Sequence, residues 1–444
     1  MHRARPLQFA KAALLRGDRR RHRVLHVTVL ASGHRSVGPK RDRDFKLGAR
    51  TAPAPQPLVG RCCWPDVEHL PGRATPDGTR AFRERALERR RISPAHFRGA
   101  AESLALSSIG LGTYLGNPDP ATDTAVVDAV SIALTSGRVN VLDTAINYRG
   151  QRAERSIGRA LSHLVAAGPV RREEVFLATK IGYLAPDSES ERDPRSWVHE
   201  ELVQPGILPL AEVVGGSHSL APSFLGDQYR RSRNNLRVET VDLLYLHNAP
   251  DAQIPEVGLE EFERRLRLAF EVLEGFRAEG TLGAYGLATW DSLRVAANEP
   301  GFFSLESAVR IAREAGGEHH GFRYVQFPFN LAMPEAATVQ NQRVAGVPMT
   351  LFAAATALGV GCFTSAPLLQ GRLARSGATA AGLPRAATAL QFARSAPGNT
   401  AALVGQKQPE HIAQNLELAS IPPWDATTFA TLLPSGGRSD ALPR

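Results

Sequence analysis

The feature that most constrains the fold of this chain is an alternation of short apolar runs with longer amphipathic stretches. The apolar runs predict β-strands, because strands buried on both faces are nearly continuous in apolar residues. Eight such strands are expected, near residues 107–113, 139–143, 175–180, 241–247, 283–288, 323–327, 360–365 and 401–405. Strands that alternate with helices imply a parallel sheet. Eight units favour an α/β fold closed into a (β/α)8 TIM barrel, although periodicity alone also allows an open doubly wound sheet.

The amphipathic stretches between these strands predict the helices. We expect the first near 122–137, with Thr122 as its N-cap, and the others near 153–166, 223–236, 257–279, 304–315, 349–358, 384–394 and 409–419. A charged surface helix is also predicted near 80–92. The connection after the third strand is about forty residues long, well beyond the usual βα loop. Because it leaves the carboxyl end of that strand, residues 188–219 are predicted to form a lid with short helices over the barrel mouth.

The positive charge of the chain is concentrated at its beginning. Residues 1–73 hold 16 Lys and Arg against 5 Asp and Glu, whereas the remainder holds 37 against 39. The charge therefore gives no reason to expect that the folded body binds nucleic acid. Composition predicts a basic, disordered extension over 1–73, a barrel over 74–434 and a flexible tail over 435–444. A transit peptide for organelle import, or a wrongly chosen start site, are alternative interpretations of the extension.

Cysteine content and hydropathy exclude several other classes of protein. Cys62, Cys63 and Cys362 are too few for a disulfide framework, and no CxxC spacing predicts a metal site. No apolar run approaches the 18 residues of a membrane span. We therefore expect a cytoplasmic protein without a membrane, nucleic-acid or metal partner, whose oligomeric state the sequence does not define.

Ionisable residues stand at the ends of three of the predicted strands. Asp143, Lys180 and His247 each end an apolar run, and Tyr148 follows five residues after Asp143. Active sites of barrel folds gather at the carboxyl ends of the strands. Each residue alone is explained as well by an ion pair, a turn cap or a core tyrosine. Together, in this order, they indicate acid–base chemistry.

The same residues resemble the aldo-keto reductases. The resemblance rests on Ile109-Gly110-Leu111-Gly112-Thr113-Tyr114, on Asp143-Thr144-Ala145 with Tyr148, on Lys180 and on Leu246-His247, and it extends from roughly Ser107 to Leu418. It implies an NAD(P)H-dependent oxidoreductase that reduces a small aldehyde or ketone to an alcohol, or catalyses the reverse reaction.

The resemblance also assigns the catalytic roles. It makes Tyr148 the proton donor, Lys180 the group that lowers the pKa of Tyr148, Asp143 the partner of Lys180, and His247 the residue that orients the substrate carbonyl. These residue types suit the roles, because a phenol with a pKa of about 10 is a sluggish acid at neutral pH and a nearby ammonium lowers that pKa.

The cofactor site implied by the resemblance departs from the family pattern in places. Its residues are Gly112, Thr113, Thr289, Gln326, Ser365, Gly405, Lys407, His411, Gln414 and Asn415. Ala288 precedes Thr289 where the family has a second polar residue, Ser365 replaces a stacking aromatic, and His411 replaces the arginine for a 2′-phosphate. NADP(H) is favoured, with Lys407 as a source of positive charge, and NAD(H) is possible.

Two other functions remain open from the sequence. The altered positions Ala288 and Ser365 also fit a nucleotide-binding barrel with little turnover that acts as a redox sensor or scaffold. A class I aldolase would use Lys180 to form a Schiff base. Arg149 and Arg152, next to Tyr148, are interpreted as ion-pair partners of residues such as Glu154, with an anionic substrate group as the alternative.

Overall fold

The computed structural model describes residues 69–89 and 91–433, and within them eight parallel strands close into a barrel. Neighbouring strands follow one another along the chain, and the last strand pairs with the first through Ala402 and Ile109. The predicted (β/α)8 TIM barrel is therefore confirmed. The strands are β1 (Ile109–Gly112), β2 (Val141–Asp143), β3 (Phe176–Ile181), β4 (Val241–His247), β5 (Leu282–Ala288), β6 (Phe322–Pro328), β7 (Gly361–Ser365) and β8 (Asn399–Gly405).

A helix follows each strand and covers the outside of the barrel. These helices are α1 (Pro120–Thr135), α2 (Arg152–Ala167), α3 (Pro222–Leu236), α4 (Leu259–Ala278), α5 (Leu305–Gly316), α6 (Leu351–Ala357), α7 (Arg385–Ser395) and α8 (Pro409–Glu417). The predicted start of α1 is wrong: Asp119 is the N-cap, and its side chain accepts a hydrogen bond from the backbone N–H of Thr122. Aspartate followed by proline at the first helical position is a favourable helix start, which explains the earlier beginning.

Large side chains fill the inside of the barrel. Phe176 stacks on Phe363 with ring centroids 5.8 Å apart, and Tyr324 contacts both rings. Tyr245 belongs to the same buried cluster. Because the interior is packed with side chains, as in other barrels of this size, a ligand site has to lie at the mouth.

The amino-terminal end of the barrel is closed by the residues that precede β1. Helix Pro76–Arg89 lies where the helix near 80–92 was predicted, and a hairpin of strands Phe97–Gly99 and Ala105–Ser107 follows it. Of the extension predicted over 1–73, residues 1–68 lie outside the described part, as does the tail predicted over 435–444. Leu70, at the end of that extension, exchanges backbone hydrogen bonds with Arg237 and Glu239.

The long connection between β3 and α3, residues 182–221, is here called the insertion. It contains helix Pro194–Val198, a π-helical turn His199–Val203 and a 3₁₀ turn Leu210–Glu212. It has a small apolar cluster of its own, formed with the first turn of α3 by Trp197, Leu202, Leu208, Ala221 and Phe224. Arg155 of α2 also binds Asp187 and Glu189 of the insertion at 2.6 and 2.5 Å. The insertion therefore contains short helices, as predicted, and has a packed core of its own, whereas its role as a lid stays a prediction.

Three described helices that follow barrel strands were not predicted, and two of them, Glu335–Thr338 after β6 and Arg372–Ser376 after β7, are short. Helix Ala249–Val257 follows β4 directly and ends at Gly258, before α4 begins. In the described residues, every helix is too short or too polar to span a lipid bilayer.

Candidate active site

A buried ion pair lies at the carboxyl ends of β2 and β3. The Nζ of Lys180 donates hydrogen bonds to Asp143 Oδ2 at 2.6 Å and to the Thr144 carbonyl at 2.7 Å. Lys180 is 1% exposed and Asp143 is 5% exposed. Gln326 of β6 donates from Nε2 to the other carboxylate oxygen at 2.7 Å. Both oxygens of Asp143 are therefore bound, which fixes the ammonium in place.

Tyr148 contacts this ion pair from the loop after β2. The Lys180 nitrogen lies 5.0 Å from the centroid of the Tyr148 ring, and the His247 ring meets the same ring edge-on at 5.7 Å. The structure thus brings together the four residues assigned to catalysis. Burial, reinforced by the Asp143 carboxylate, raises the pKa of Tyr148 well above its usual value. The surroundings therefore act on this pKa in the opposite direction to the one expected from Lys180 alone.

His247 ends β4 and faces Tyr148 as a neutral imidazole. Burial, together with the Lys180 ammonium, lowers the pKa of His247 well below its usual value. Its Nδ1 lies 3.2 Å from Asn147 Oδ1, and its backbone carbonyl accepts a hydrogen bond from His218. Sequence reasoning missed both neighbours. The position of Asn147 beside Tyr148 was a usable signal for the first, whereas no pattern marks His218 in the insertion.

The residues assigned to the nicotinamide end lie in or just after β1, β5, β6 and β7. Thr289, just after β5, is 4% exposed, and its Oγ1 is buried without a hydrogen-bond partner. Thr113, after β1, donates a hydrogen bond to Thr144 Oγ1 at 2.9 Å. Ser365 is half-buried at the end of β7, while Phe363 points into the barrel core and cannot replace the missing stacking ring.

The residues assigned to the adenosine end lie at the end of β8 and on α8. Asn415 donates from Nδ2 to Gln406 Oε1 at 3.0 Å, which leaves Gln406 Nε2 buried without a partner. Sequence reasoning missed Gln406, although it lies between Gly405 and Lys407. The backbone of Gly405 pairs with that of Gly112 across β8 and β1. On α8 and its approach, the side chains of His411 and Gln414 are exposed, and Lys407 is half-buried.

The charge of Lys407 has no ion-pair partner among the described residues, whereas the two arginines beside Tyr148 each form an ion pair. Arg149 and Arg152 each bind the buried carboxylate of Asp123 at 2.6 Å. The interpretation of these arginines as ion-pair residues thus agrees with the structure, but the suggested partner, Glu154, was wrong. Glu154 instead accepts hydrogen bonds from Thr179 and Asn235.

Part of this chain matches a known protein family. The model of the Aldo/keto reductase family matches residues 108–316, which span β1 to α5 and contain all four catalytic candidates. Over these residues the chain is similar to the aldo-keto reductases. The resemblance drawn from the sequence motifs is thereby confirmed. The aldo-keto reductase match ends before β6, so Gln326, Ser365 and the segment after β8 lie beyond it.

Solved aldo-keto reductases share the fold of this chain. One from Klebsiella pneumoniae, in complex with NADP and acetate, is 20% identical, covers 78% of this chain and 98% of its own length, and gives a TM-score of 0.52. One from Bacillus halodurans in its holo form is 17% identical over the same shares, with a TM-score of 0.51. No curated protein sequence matches the chain.

Proposed function

We propose that this chain is an aldo-keto reductase, an NAD(P)H-dependent oxidoreductase that reduces a small aldehyde or ketone to an alcohol, or catalyses the reverse reaction, with Tyr148 as proton donor. The observation that carries the proposal is the approach of the Lys180 ammonium to within 5.0 Å of the Tyr148 ring centroid. Asp143 holds that ammonium at 2.6 Å, and the His247 ring meets the Tyr148 ring edge-on at 5.7 Å.

The buried polar atoms of the mouth fit a dinucleotide. Thr289 Oγ1 and Gln406 Nε2 lack partners, and a buried polar group left unpaired costs about 1–3 kcal/mol. A bound nucleotide would remove that cost, with Thr289 and the free oxygen of Gln326 at the nicotinamide end and Gln406 with Asn415 at the adenosine end. When bound, the nicotinamide supplies the hydride that the carbonyl carbon receives.

NADP(H) is the preferred cofactor in this proposal. Lys180 and Lys407 are the two lysines of residues 69–433. Lys180 is engaged by Asp143, whereas Lys407 makes no ion pair within the described residues and lies between β8 and α8, beside Gln406. An unpaired ammonium at the adenosine end suits a 2′-phosphate, which NADP(H) carries and NAD(H) lacks. The related Klebsiella pneumoniae structures contain NADP or NADPH.

Tyr148, Lys180 and His247 each have a separate role in the proposed proton transfer. Since burial keeps Tyr148 protonated at neutral pH, its hydroxyl is able to donate to the carbonyl oxygen as negative charge develops there. The phenolate left behind is stabilised by the Lys180 ammonium, which acts in a site of low dielectric constant. The neutral imidazole of His247 makes no hydrogen bond through Nε2 to another described residue. To orient the carbonyl, Nε2 must carry the single proton of the ring, and the Asn147 amide must then present its NH2 group, instead of its oxygen, to Nδ1.

Particular residues bear on the two alternative functions, a nucleotide-binding barrel with little turnover and a Schiff-base aldolase. Ala288 and Ser365, which offer neither a second polar donor nor a stacking ring, favour a nucleotide-binding barrel with little turnover. The Schiff-base alternative is disfavoured, because Lys180 is held as a charged donor to Asp143 and Thr144, and an ammonium is not a nucleophile.

The test is steady-state oxidation of NADPH, followed by absorbance, against a panel of aldehydes and ketones. We expect Tyr148→Phe to bind NADPH as the wild type does and to lose at least about 100-fold in kcat, the usual contribution of a positioned acid. Tyr114→Phe is the matched control, because this exposed tyrosine lies 5.0 Å from Tyr148 and has no assigned proton. Binding without turnover of any carbonyl would favour the sensor alternative.

A further inference from the structure

His218 is a buried histidine of the insertion that no part of the proposed mechanism uses. It is 1% exposed, and its Nε2 lies 3.0 Å from the backbone carbonyl oxygen of His247. Its Nδ1 lies 3.0 Å from the amide nitrogen of Gln253, in the helix that follows β4. His218 therefore links the insertion to the strand that carries His247.

The neighbours of Gln253 determine which nitrogen of His218 carries the proton. Arg265 of α4 donates to Gln253 Oε1 at 3.2 Å, and a guanidinium is only a donor. The amide oxygen of Gln253 therefore faces Arg265, and its NH2 group faces His218. Since that NH2 group donates, Nδ1 of His218 must accept. The proton is then on Nε2, which donates to the carbonyl of His247.

This arrangement is fixed on several sides. Burial lowers the pKa of His218 to about 4, so the ring stays neutral near pH 7. Gly182, the first residue after β3, has a φ of +125°, and a Cβ there would lie 2.7 Å from His218 Nε2. Ser219 also donates its backbone N–H to the Gly182 carbonyl at 2.9 Å. The ring of Tyr183 meets the rings of both His218 and His247 edge-on, at 5.0 and 5.2 Å.

We propose that His218 is a positioning residue for His247, and that the insertion serves the active site by delivering it. The inference rests on the proposed function, in which the His247 imidazole orients the carbonyl beside Tyr148. The chain leaves the sheet immediately after His247, because Asn248 adopts a left-handed conformation with φ 49°. By holding the carbonyl of His247 at this point, His218 sets the direction of its Cα–Cβ bond and hence the place of the ring.

Two variants separate this role from simple filling of space. In His218→Gln, the side-chain amide reaches the position of Nε2 and retains the donor to His247. In His218→Asn, the amide reaches only the position of Nδ1, which retains the contact with Gln253 and loses the one with His247. His199→Asn is the matched control, since His199 is an exposed histidine of the same insertion.

We expect His218→Asn to lower kcat for carbonyl reduction about tenfold or more, because small displacements of a positioning group are costly. The Kd for NADPH should not change, and His218→Gln and His199→Asn should retain wild-type kcat. An unchanged kcat in His218→Asn would overturn the proposal. So would an equal loss in His218→Gln and His218→Asn, which would indicate that any replacement of the ring disturbs the fold.

A second readout does not depend on turnover. In spectra of protein labelled with 15N-histidine, the ring signals of His247 are assigned by their loss in His247→Gln. We expect them to shift in His218→Asn and to stay in place in His218→Gln and His199→Asn. Absence of turnover in the wild type would contradict only the proposed function. Ring signals of His247 that do not shift in His218→Asn would contradict the positioning role.

Discussion

Replacing Asp143 with asparagine tests whether this carboxylate keeps Lys180 charged in its buried position. The substitution preserves shape but removes the negative charge 2.6 Å from the Lys180 nitrogen. Lys180, at 1% exposure, then has only neutral acceptors, among them the Thr144 carbonyl at 2.7 Å. The variant therefore leaves an ammonium buried without a counter-charge.

The expected cost follows from this geometry. Removing one partner of a buried ion pair costs about 3–5 kcal/mol. Because two neutral oxygens still accept hydrogen bonds from Lys180, we expect the lower end, about 3 kcal/mol at pH 7. With an unfolding entropy of about 2.1 cal/mol/K per residue over roughly 360 residues, this corresponds to a fall in Tm of about 4 °C.

The cost should also depend on pH. Burial already lowers the pKa of Lys180, and the charge of Asp143 opposes that shift. In Asp143→Asn this pKa falls further below that of the unfolded chain, about 10.4. Between the two values the unfolded chain binds more protons, so the free energy of unfolding rises with pH. The deficit of the variant is thus full below the folded pKa of Lys180 and vanishes above about pH 10.4.

The assay is chemical denaturation of wild type and variant from pH 7 to 10. Asp123→Asn is the matched control, because Asp123 is equally buried but pairs with Arg149 at 2.6 Å, and an arginine does not titrate in this range. Its deficit should therefore stay constant while that of Asp143→Asn shrinks. An Asp143→Asn protein as stable as the wild type at pH 7, or one whose deficit ignores pH, would refute the reasoning.

Three further substitutions have defined outcomes. Lys407→Met should raise the Kd for NADPH about tenfold, the worth of one charge-assisted hydrogen bond, and leave that for NADH unchanged, as titration by fluorescence would show. Tyr245→Phe should raise the free energy of unfolding by about 1 kcal/mol, because it removes a buried hydroxyl without a partner; Tyr229→Phe, whose hydroxyl is hydrogen-bonded to a backbone carbonyl, should lower it. Asn147→Asp should raise the pKa of His247, so that kcat/KM acquires an acidic limb that the wild-type pH profile lacks.

The barrel could be predicted from the sequence because buried parallel strands leave a periodic signal. Each of the eight predicted strands overlaps a barrel strand, since both faces are covered and most of the strand residues are apolar. The missed helix Ala249–Val257 has the opposite character. It contains Pro255, which is unfavourable inside a helix, and only Asn248 separates it from β4. Its composition and its position therefore gave no helix signal.

Only those residues of the candidate site that lie at strand ends could be placed together from the sequence. Asp143, Lys180 and His247 lie together because parallel strands present their carboxyl ends on one side of the barrel. Pairings that depend on side-chain reach across loops were not readable: Arg149 binds Asp123, 26 positions away, instead of Glu154, five positions away. The contact of His218 with His247 similarly depends on how the insertion folds back, which local pattern does not encode.

The raised pKa of Tyr148 and the charge of Lys180 act at different stages of the proposed reaction. While the phenol holds its proton, the ammonium 5.0 Å from its ring has little charge to stabilise, and burial keeps the neutral form. Once the proton moves to the carbonyl oxygen, a negative charge appears beside Lys180 in a site of low dielectric constant. The interaction is therefore stronger in the transition state than in the ground state, and this difference is what accelerates a reaction. If Tyr148 were already ionised in the free protein, Lys180 would stabilise the ground state as much as the transition state, and the interaction would not accelerate the reaction.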